Sequence, residues 1–476
     1  PFNVLDYGAA TDGSTSSTAA FQAAIVACGA AGGGTIFIPA SPNPYIVGNI
    51  DVNVYNNISF VGENQTVLAA GGVKLQASST TASIFNVSSV GGINFENILF
   101  TSASQQTSGA YVTFTSSNSC SIKKCQFNYG YDNININGCG GLVFDTISIR
   151  DFNHDGVYIT GNSNDLYFNY IIMDQASAIY TPNAGFELPY MGGSFVLTNS
   201  DILHCHNGLL VNPGAGQYSI WGYLSNVFFD TSDFDIPTRQ GIGMSFVPTN
   251  GGIVQGWKFT NVWSSTGYIG IRLIADGTST LSRMDFANVQ VLNNYTNGVQ
   301  LSVCSDVNFV NPDIYGNSTA SSGTYAGVLI GNFCESIKFS MGEIGGTISG
   351  FTNQHSYAIE TQAGFTGVLT VNGTKMSAAN TPPVLLTGSP AIGSSISQSA
   401  GYNPVGTSLQ IAGASPYTYT AGLSTEIVNL YGGTTVVTTI NGVTVATASP
   451  CSFTLAPKQS AVISYATIPT MAVNKL

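Results

Sequence analysis

A short apolar segment that recurs along most of the chain constrains the fold more than any other feature of the sequence. Successive copies lie roughly 22 to 33 residues apart, a period typical of one solenoid coil. Because no helical crossover fits between them, they predict short parallel strands stacked coil on coil. The copies are residues 134–136, 156–159, 179–181, 208–211, 242–244, 270–273, 298–301, 327–330 and 358–361.

A second column runs in phase with the first and carries asparagine or aspartate two residues after an apolar side chain. Asparagine tolerates the left-handed conformation of a bend and can hydrogen-bond the same side chain in the next coil. The column contains Asn97, Asp145, Asn169, Asn199, Asn226, Asn261, Asn288 and Asn311. Together the two columns predict an all-β fold, a right-handed parallel β-helix of about twelve coils between residues 45 and 390. We assign Asp145 to this ladder and not to catalysis.

The two ends depart from the repeat, as the open ends of a solenoid require. Ser16 or Ser17 is placed to cap a helix over 18–28. Its apolar stripe is expected to cover the end of the core and contains Phe21, Ala24, Ile25 and Cys28. The predicted domains are an N-terminal cap over 1–45 (helix plus first strand), a β-helix over 46–392 and a small antiparallel β module over 401–476. In that module Asn441 and Gly442 form the turn of a hairpin.

Composition excludes several functional classes. Charged residues make up 8% of the chain, and 12 basic against 24 acidic residues give a net charge of −12, so we expect no nucleic-acid partner. No apolar run of 18 residues occurs, so no membrane insertion is predicted. The eight cysteines form no CxxC pair and are expected to be mostly buried thiols. No metal site and no cofactor is predicted.

The opening segment resembles the pectate-lyase superfamily. Residues 3–13 read NVLDYGAATDG, residues 18–25 read TAAFQAAI and residues 32–40 read GGGTIFIPA, similar to the signature that begins a right-handed β-helix in that family. The family includes polysaccharide lyases, polygalacturonase-like hydrolases, mannuronan epimerases and bacteriophage tailspikes. The resemblance implies a groove that binds an extended glycan. With a β-rich C-terminal module, the layout is most similar to homotrimeric tailspikes and capsule depolymerases, which implies a polysaccharide substrate, a homotrimer and a virion-tail or secreted location.

Acidic residues in the middle coils are the candidates for catalysis. Glycoside hydrolysis uses two carboxyl groups, about 5–5.5 Å apart for retention or about 6.5–9.5 Å apart for inversion. Asp155 (or Asp151) and Asp174, one coil apart, are the favoured pair, and Asp174 with Asp230, two coils apart, is also eligible. Insertions at 183–192 and 230–239 supply loop-borne alternatives, namely Glu187, Asp230 and Asp233. For each aspartate, a structural role in a turn stays open.

Other polar and aromatic residues are candidates for substrate binding. The predicted outward column of the first strand includes Tyr158, Tyr180, Leu210, Gly243 and Arg272. Histidine can bind sugar hydroxyls or transfer protons, arginine can pair with a sugar carboxylate, and aromatic rings can stack on pyranose faces. The candidates are His154, His206, Arg239, Arg272, Tyr158, Tyr180, Tyr190, Trp221 and Trp263. An exposed turn histidine, a surface salt bridge and a core tryptophan are the alternative interpretations.

These residues predict an endo-acting glycoside hydrolase that cuts a bacterial surface or acidic polysaccharide. Two alternatives stay open. Tyr158 near His154 is compatible with a lyase acting by β-elimination, and a non-catalytic glycan-binding fibre or adhesin would use the same groove. The resemblance to polygalacturonases is partial, because Asp174 is followed by Gln175 where that family has paired aspartates.

Overall fold

The computed structural model describes residues 1–63, 72–174, 182–230, 240–347, 350–402, 407–410 and 414–475. They divide into two compact units, Pro1–Tyr295 and Thr296–Leu476, which together contain about 13 turns of a parallel β-solenoid. The predicted fold class is therefore confirmed. The turn count exceeds the expected twelve, because β1 at Phe2–Asn3 already pairs with β2 at Gly34–Ile38 and begins the spiral before residue 45.

The first unit consists almost entirely of short strands. In chain order they are β1 (Phe2–Asn3), β2 (Gly34–Ile38), β3 (Tyr45–Val47), β4 (Ile50–Val52), β5 (Ile58–Gly62), β6 (Val73–Ala77), β7 (Phe85–Ser88), β8 (Asn94–Glu96), β9 (Ile98–Thr101), β10 (Ala110–Thr115), β11 (Ser121–Lys123), β12 (Gln126–Asn128), β13 (Asp132–Asn137), β14 (Gly140–Arg150), β15 (Asp155–Thr160), β16 (Ser163–Asp174), β17 (Ala184–Glu187), β18 (Met191–Leu203), β19 (Asn207–Val211), β20 (Tyr218–Ile220), β21 (Gly222–Asp230), β22 (Ile242–Phe246), β23 (Ile253–Ser265), β24 (Ile269–Ile274), β25 (Thr280–Ala287) and β26 (Gln290–Leu292). Sheet B stacks β4, β7, β10, β13, β15, β17, β19, β22 and β24 in parallel, and the remaining strands form sheet A.

The second unit continues with parallel strands and ends in antiparallel ones. Its strands are β27 (Val299–Ser302), β28 (Ser305–Val310), β29 (Asp313–Tyr315), β30 (Val328–Ile330), β31 (Glu335–Ser340), β32 (Glu343–Ile344), β33 (Ile359–Thr361), β34 (Leu369–Asn372), β35 (Lys375–Met376), β36 (Val384–Leu386), β37 (Ser395–Ser397), β38 (Thr407–Gln410), β39 (Tyr417–Thr420), β40 (Glu426–Tyr431), β41 (Val437–Ile440), β42 (Val443–Ala446), β43 (Cys451–Leu455), β44 (Ser460–Ser464) and β45 (Thr470–Lys475). Strands β38 to β45 form two four-stranded antiparallel sheets, and β41 pairs with β42 across the predicted turn at Asn441 and Gly442. The exact domain boundaries stay predictions.

One α-helix, Thr18–Ala30, occurs in the described ranges and lies against the first strands. Its buried side chains are Ala20, Phe21, Ala24, Ile25 and Cys28, so the predicted stripe is confirmed. Ser17 precedes the helix, but its hydroxyl bonds to the backbone of Ala10 instead of capping the first turn. Within the described ranges, no helix has the length and apolar character needed to cross a membrane.

Apolar and aromatic side chains stack from coil to coil inside the first unit. Phe144 and Phe168 are parallel with ring centroids 4.5 Å apart, and Phe259 and Phe286 are parallel at 4.3 Å. Trp257 is fully buried, and its Nε1 donates to the carbonyl of Ser219 at 3.1 Å. Trp257 therefore belongs to the core. Seven of the eight cysteines are also buried, in agreement with their expected role as small apolar residues.

The glycine that precedes many repeats has a packing function. A Cβ added to Gly208 would lie 2.5 Å from the Phe229 ring and 2.6 Å from the Gly243 carbonyl oxygen. Since real Cβ atoms do not approach this closely, only glycine allows the two sheets to meet at this corner of the coil. The recurring glycine in the sequence is thus a consequence of core packing.

The expected asparagine ladder is present on the outer surface of sheet A from Asp145 onward. Asn97 was wrongly included, because Glu96 and not Asn97 is in register with Asp145. Each asparagine from Asn169 to Asn288 donates a side-chain N–H to Oδ1 of the ladder residue in the coil before it, at 2.7 to 3.2 Å. The ladder runs through Asp145, Asn169, Asn199, Asn226, Asn261 and Asn288. Asn199 and the following members hold the left-handed conformation, whereas in the two earlier coils the residue after the ladder position, Thr146 or Tyr170, holds it. The structural assignment of Asp145 is confirmed.

Substitutions of Asn199 separate two contributions of the ladder to stability: the hydrogen bonds between coils and the left-handed backbone conformation. Asn199→Ala removes two hydrogen bonds between coils. It also forces alanine into the left-handed conformation at φ 50°, which alanine tolerates less well than asparagine. Asn199→Gly removes the same bonds but keeps an easy left-handed backbone. We expect the free energy of unfolding to fall by about 2 kcal/mol for alanine and about 1 kcal/mol for glycine in urea titrations. Equal losses would contradict a conformational role, and unchanged stability would contradict the ladder.

Candidate active site

Three carboxylates meet where consecutive strands of sheet A end. Asp174 is the last residue of β16 and pairs in register with Leu203 of β18, which pairs with Asp230 at the end of β21. Asp201 lies two residues before Leu203, so its side chain is on the same outer face of the sheet. We call Asp174, Asp201 and Asp230 the acid triad.

The register sets the spacing of the triad. Parallel strands lie about 4.8 Å apart, so the backbones of Asp174 and Asp230 are separated by two such steps, or about 10 Å. Asp201 is diagonal to each of them, one coil and two residues away, at roughly 8 Å. Asp201 is half-buried, and its pKa is raised by this burial first and then by the negative charges of Asp230 and Asp174. The negative charges of Asp230 and Asp174 therefore disfavour ionisation of Asp201.

His204 and Thr266 hold two members of the triad in place. The Nδ1 atom of His204 lies 3.0 Å from Oδ1 of Asp174, while the backbone N–H of His204 donates to the carbonyl oxygen of Asp230 at 2.8 Å. The Thr266 hydroxyl donates to the carboxylate of Asp230. Since His204 has a positive φ of 57°, the chain turns sharply here and directs the imidazole back towards the strand end.

An open cavity of about 290 Å³ lies beside the triad. Its lining consists of Asp201, Leu203, Phe228, Asp230, Trp263 and Ser265. The rings of Phe228 and Trp263 have centroids 5.5 Å apart and an interplanar angle of 60°, and Phe228 is 45% exposed. The Nε1 atom of Trp263 is buried and has no hydrogen-bond partner among the described residues.

A second group of ionisable residues lies on and beside three consecutive strands of sheet B, β13, β15 and β17. It contains Asp132, His154, Asp155 and Glu187, and we call it the His154 cluster. Nδ1 of His154 lies 2.9 Å from Oδ1 of Asp132 and 3.0 Å from Oδ2 of Asp155. Oδ1 of Asp155 accepts from the side chain of Asn183 at 3.1 Å and from the backbone N–H of Ala184 at 3.0 Å. The cluster therefore ties three consecutive coils together.

The charges of the His154 cluster compensate one another. Hydrogen bonds to Asp132 and then to Asp155 raise the pKa of His154 to about 11, so the imidazole is a cation at neutral pH. Burial raises the pKa of Asp155 to about 7, and the Glu187 carboxylate adds to this shift. One oxygen or nitrogen from each of Asp132, His154 and Asp155 lies within 4.8 Å of the others, which makes them the residues that could hold a metal ion. The imidazolium already supplies the positive charge that such an ion would bring.

The structure separates the favoured catalytic pair. Asp155 belongs to the His154 cluster and is fully buried, whereas Asp174 belongs to the acid triad with Asp230. Glu187 lies on strand β17, next to Tyr158 in the register, so the expectation of a loop there was wrong. β15 pairs with Ala184–Glu187 in the next coil, and the outward column contains Glu187 and Ser245 where Tyr180 and Gly243 were expected. The predicted segment 179–181 lies outside the described residues. Asp233, Tyr180 and Arg239 lie outside the described residues.

The remaining predicted binding residues occupy different positions on the coil. Trp263 lines the cavity beside the triad. His206 follows the turn after β18, and its carbonyl oxygen accepts from the N–H of Ile242 at 2.6 Å. Arg272 is half-buried on sheet B, where its Nε and Nη2 donate to the Ser245 hydroxyl at 3.1 and 2.9 Å. Burial and the carboxylates of the His154 cluster raise the pKa of Tyr158, which makes its phenol a weak candidate for a base.

Asp201, His204 and Phe228 were not among the predicted site residues. Asp201 and Phe228 could have been found by counting from the ladder, because they lie two residues after Asn199 and Asn226, as Trp263 lies two residues after Asn261. Asp201, Phe228 and Trp263 are in register on adjacent strands. The ladder was recognised in the sequence, but the column two residues beyond it was not followed.

Comparisons with known proteins support the fold. No family model matches the chain. The mannuronan C5-epimerase AlgE3 of Azotobacter vinelandii is 62% identical over 39 residues, which is 8% of this chain and 2% of that enzyme. A double mutant of the tailspike protein of E. coli bacteriophage HK620 has a TM-score of 0.53 at 12% identity and covers 99% of this chain and 93% of its own.

Two further solved structures are similar. The HK620 tailspike in complex with a pentasaccharide has a TM-score of 0.50 at 12% identity, with the same coverage of 99% and 93%. The A-module of the Azotobacter vinelandii mannuronan C-5 epimerase AlgE4 has a TM-score of 0.48 at 14% identity, over 84% of this chain and 99% of that one. The similarity to the two HK620 tailspike structures supports the fold, so the right-handed β-helix that the sequence resemblance implied is confirmed.

The His154 cluster predicts a pH-dependent contribution to stability. Because the pKa of His154 is about 11 in the folded state and about 6.5 when unperturbed, its stabilisation is complete below pH 6.5 and is lost as the pH rises towards 11. We expect His154→Gln to lower the free energy of unfolding by about 1–3 kcal/mol at pH 6, since the imidazole is partly exposed and screened. The difference should shrink steadily towards pH 10.

Urea titrations of both proteins at several pH values measure this difference, and Asp132→Asn provides a second variant that removes the first partner of the imidazole. A difference that stayed constant between pH 6 and pH 10 would contradict the ion-pair interpretation.

Proposed function

We propose that this protein is an endo-acting glycoside hydrolase that cuts a polysaccharide of the bacterial surface at the acid triad. The observation that carries the proposal is the convergence of three carboxylates on one outer face, beside a cavity walled by Phe228 and Trp263. Paired carboxyl groups are the requirement of glycoside hydrolysis, and aromatic walls are the usual complement of the C–H faces of sugars. The His154 cluster is already neutralised internally and has a structural role in this proposal.

Asp201 is the proposed general acid. Its raised pKa keeps a proton on the carboxyl group at higher pH, as donation to the leaving glycosidic oxygen requires. Asp230, which borders the same cavity, is the proposed base that activates water. We propose inversion of the anomeric centre, which needs carboxyl groups about 6.5–9.5 Å apart with room for a water molecule; the two backbones are roughly 8 Å apart and their side chains lie on one face. Asp174, held by His204, raises the pKa of Asp201 and is a positioning residue.

The surroundings of the triad favour a sugar without a carboxylate at the cleavage point. Three acids lie together, and among the described residues the basic group that contacts them is His204. A uronate would be repelled by this arrangement, whereas a neutral pyranose can stack on the exposed ring of Phe228. The proposed substrate is therefore a surface polysaccharide with a neutral residue on at least one side of the cut bond.

The proposed biological setting is a virion tail or the extracellular space, with three copies of the chain in one assembly. The supporting observation is the extended similarity to a tailspike of bacteriophage HK620, which covers 99% of this chain at a TM-score of 0.53. That tailspike has also been solved in complex with a pentasaccharide. The homotrimer and the location are carried over from that class of protein as part of the proposal.

Loss of the proposed acid or base should abolish cleavage without unfolding the protein. We expect Asp201→Asn and Asp230→Asn to lower kcat at least about 100-fold on a bacterial O-antigen or capsular polysaccharide that the wild-type protein shortens. Asp285→Asn is the matched control, because Asp285 is an exposed aspartate on the same sheet, away from the triad. Mass spectrometry of the products should show one water gained per cut, and NMR should show the inverted anomer first.

The product chemistry separates the competing functions. Products without added water would identify a lyase, and binding without shortening of any polysaccharide in the panel would identify a non-catalytic fibre. Retention of the anomer, or full activity of both asparagine variants, would contradict the assigned roles.

Asp174 gives an independent test through the pH profile. Its negative charge contributes to the raised pKa of Asp201, so Asp174→Asn should lower that pKa. Because the general acid must be protonated to work, the alkaline limb of the kcat profile should move to lower pH in this variant. An alkaline limb at the wild-type position would contradict the electrostatic coupling between the two carboxyl groups.

A further inference from the structure

Trp221 is the most exposed tryptophan of the chain and lies outside the proposed active site. It directly precedes β21, whose other end is Asp230, and 55% of its surface is exposed. Trp221 holds φ at 59°, an unusual conformation for so bulky a residue. Its backbone N–H still donates to the carbonyl of Gln255 in the next coil at 3.0 Å. The backbone of Trp221 is therefore fixed by its pairing with the next coil.

Glycines on the two neighbouring coils make room for the ring. A Cβ added to Gly193 would lie 3.2 Å from Cε3 of Trp221, and one added to Gly256 would lie 2.9 Å from Cδ1. The benzene part of the indole thus covers one glycine and the pyrrole part covers the other. Because both contacts involve backbone that lacks side chains, the ring lies flat on the sheet and presents its opposite face to solvent.

Two tyrosines lie close to Trp221 along the chain or across the coil: Tyr218 is three residues before Trp221, and Tyr190 is three residues before Gly193, which the indole covers. The rings of Tyr190 and Tyr218 meet edge to face, with centroids 5.0 Å apart. The Tyr218 hydroxyl donates to Oδ1 of Asn162 at 3.0 Å, and Asn162 is exposed. The surroundings of Trp221 therefore combine aromatic surface with hydroxyl and amide groups, without a charged side chain in these contacts.

We propose that Trp221 is the platform of a second glycan-binding site, separate from the acid triad, that stacks a neutral pyranose ring of the same polysaccharide. The inference rests on the proposed function, since it takes the substrate from there. Nine residues separate Trp221 from Asp230, a span of at most about 30 Å, so one extended glycan can reach both. Binding here would keep the polymer on the protein between cuts.

A flat indole suits a sugar better than a protein partner. Tryptophans that dominate protein interfaces insert into a pocket of the partner. The indole of Trp221 lies against Gly193 and Gly256, so one flat face is exposed and the ring does not project from the surface. The C–H face of a pyranose matches such a surface in size and polarity. A second copy of the chain is the competing occupant.

The test measures binding in the Asp230→Asn background, in which the polysaccharide is not consumed. A panel of purified bacterial O-antigen and capsular polysaccharides is titrated calorimetrically against Asp230→Asn and against the same protein with Trp221→Ala. We expect affinity to fall about tenfold on loss of the ring, and Trp221→Tyr to recover part of it. Phe333→Ala is the matched control, because Phe333 is also an exposed aromatic residue with positive φ, and it should bind unchanged. Light scattering follows the assembly mass of each variant.

The outcomes are distinguishable. Tenfold weaker binding at unchanged assembly mass supports the platform. Equal binding with and without Trp221 overturns the platform but leaves the proposed function intact. A lower assembly mass for Trp221→Ala identifies a subunit contact and also overturns the platform. If Asp230→Asn binds no polysaccharide of the panel, the proposed function fails, and this inference fails with it.

Discussion

Backbone hydrogen bonds between successive coils hold Asp174, Leu203 and Asp230 in one column and Asp201, Phe228 and Trp263 in the next. These residues are far apart in sequence, and only the parallel register brings them together. A slip of one residue in any strand would turn its side chains from the outer face to the core. The asparagine ladder, the stacked phenylalanines and the packed glycines all oppose such a slip. The geometry of the candidate site therefore depends on the same interactions that stabilise the solenoid.

Two groups of carboxylates lie at neighbouring corners of the coil, and their surroundings give them different roles. In the His154 cluster, Asp155 is fully buried and receives hydrogen bonds from Asn183 and Ala184, while His154 supplies a positive charge. In the acid triad, Asp201 and Asp230 border a cavity, and the charges of Asp230 and Asp174 raise the pKa of Asp201. Compensated charge stabilises a fold, whereas mutually repelling carboxyls beside an open cavity are suited to proton transfer. We therefore assign chemistry to the triad.

Much of the fold could be predicted because each coil repeats the same physical solution. The period of the apolar segments, the ladder asparagines and the stripe of Phe21 and Ile25 follow directly from core packing. The site was predicted less well, because catalytic side chains do not repeat. Asp230 and Trp263 were recognised, but Asp201 and His204 were not, since they occur in one coil only. Glu187 was misplaced because 179–181 was taken as the strand of this coil, although Gly185 and Phe186 repeat the glycine and apolar residue that begin the neighbouring strands at Gly156 and Gly208.

The most direct test of this account is a crystal structure of Asp201→Asn with an oligosaccharide prepared from a cleaved polysaccharide. We predict a pyranose ring against Phe228 and Trp263, with the glycosidic oxygen beside residue 201 and a water molecule beside Asp230. An oligosaccharide bound at the His154 cluster, or one that leaves the acid triad exposed to solvent, would contradict the assignment of catalysis to the triad.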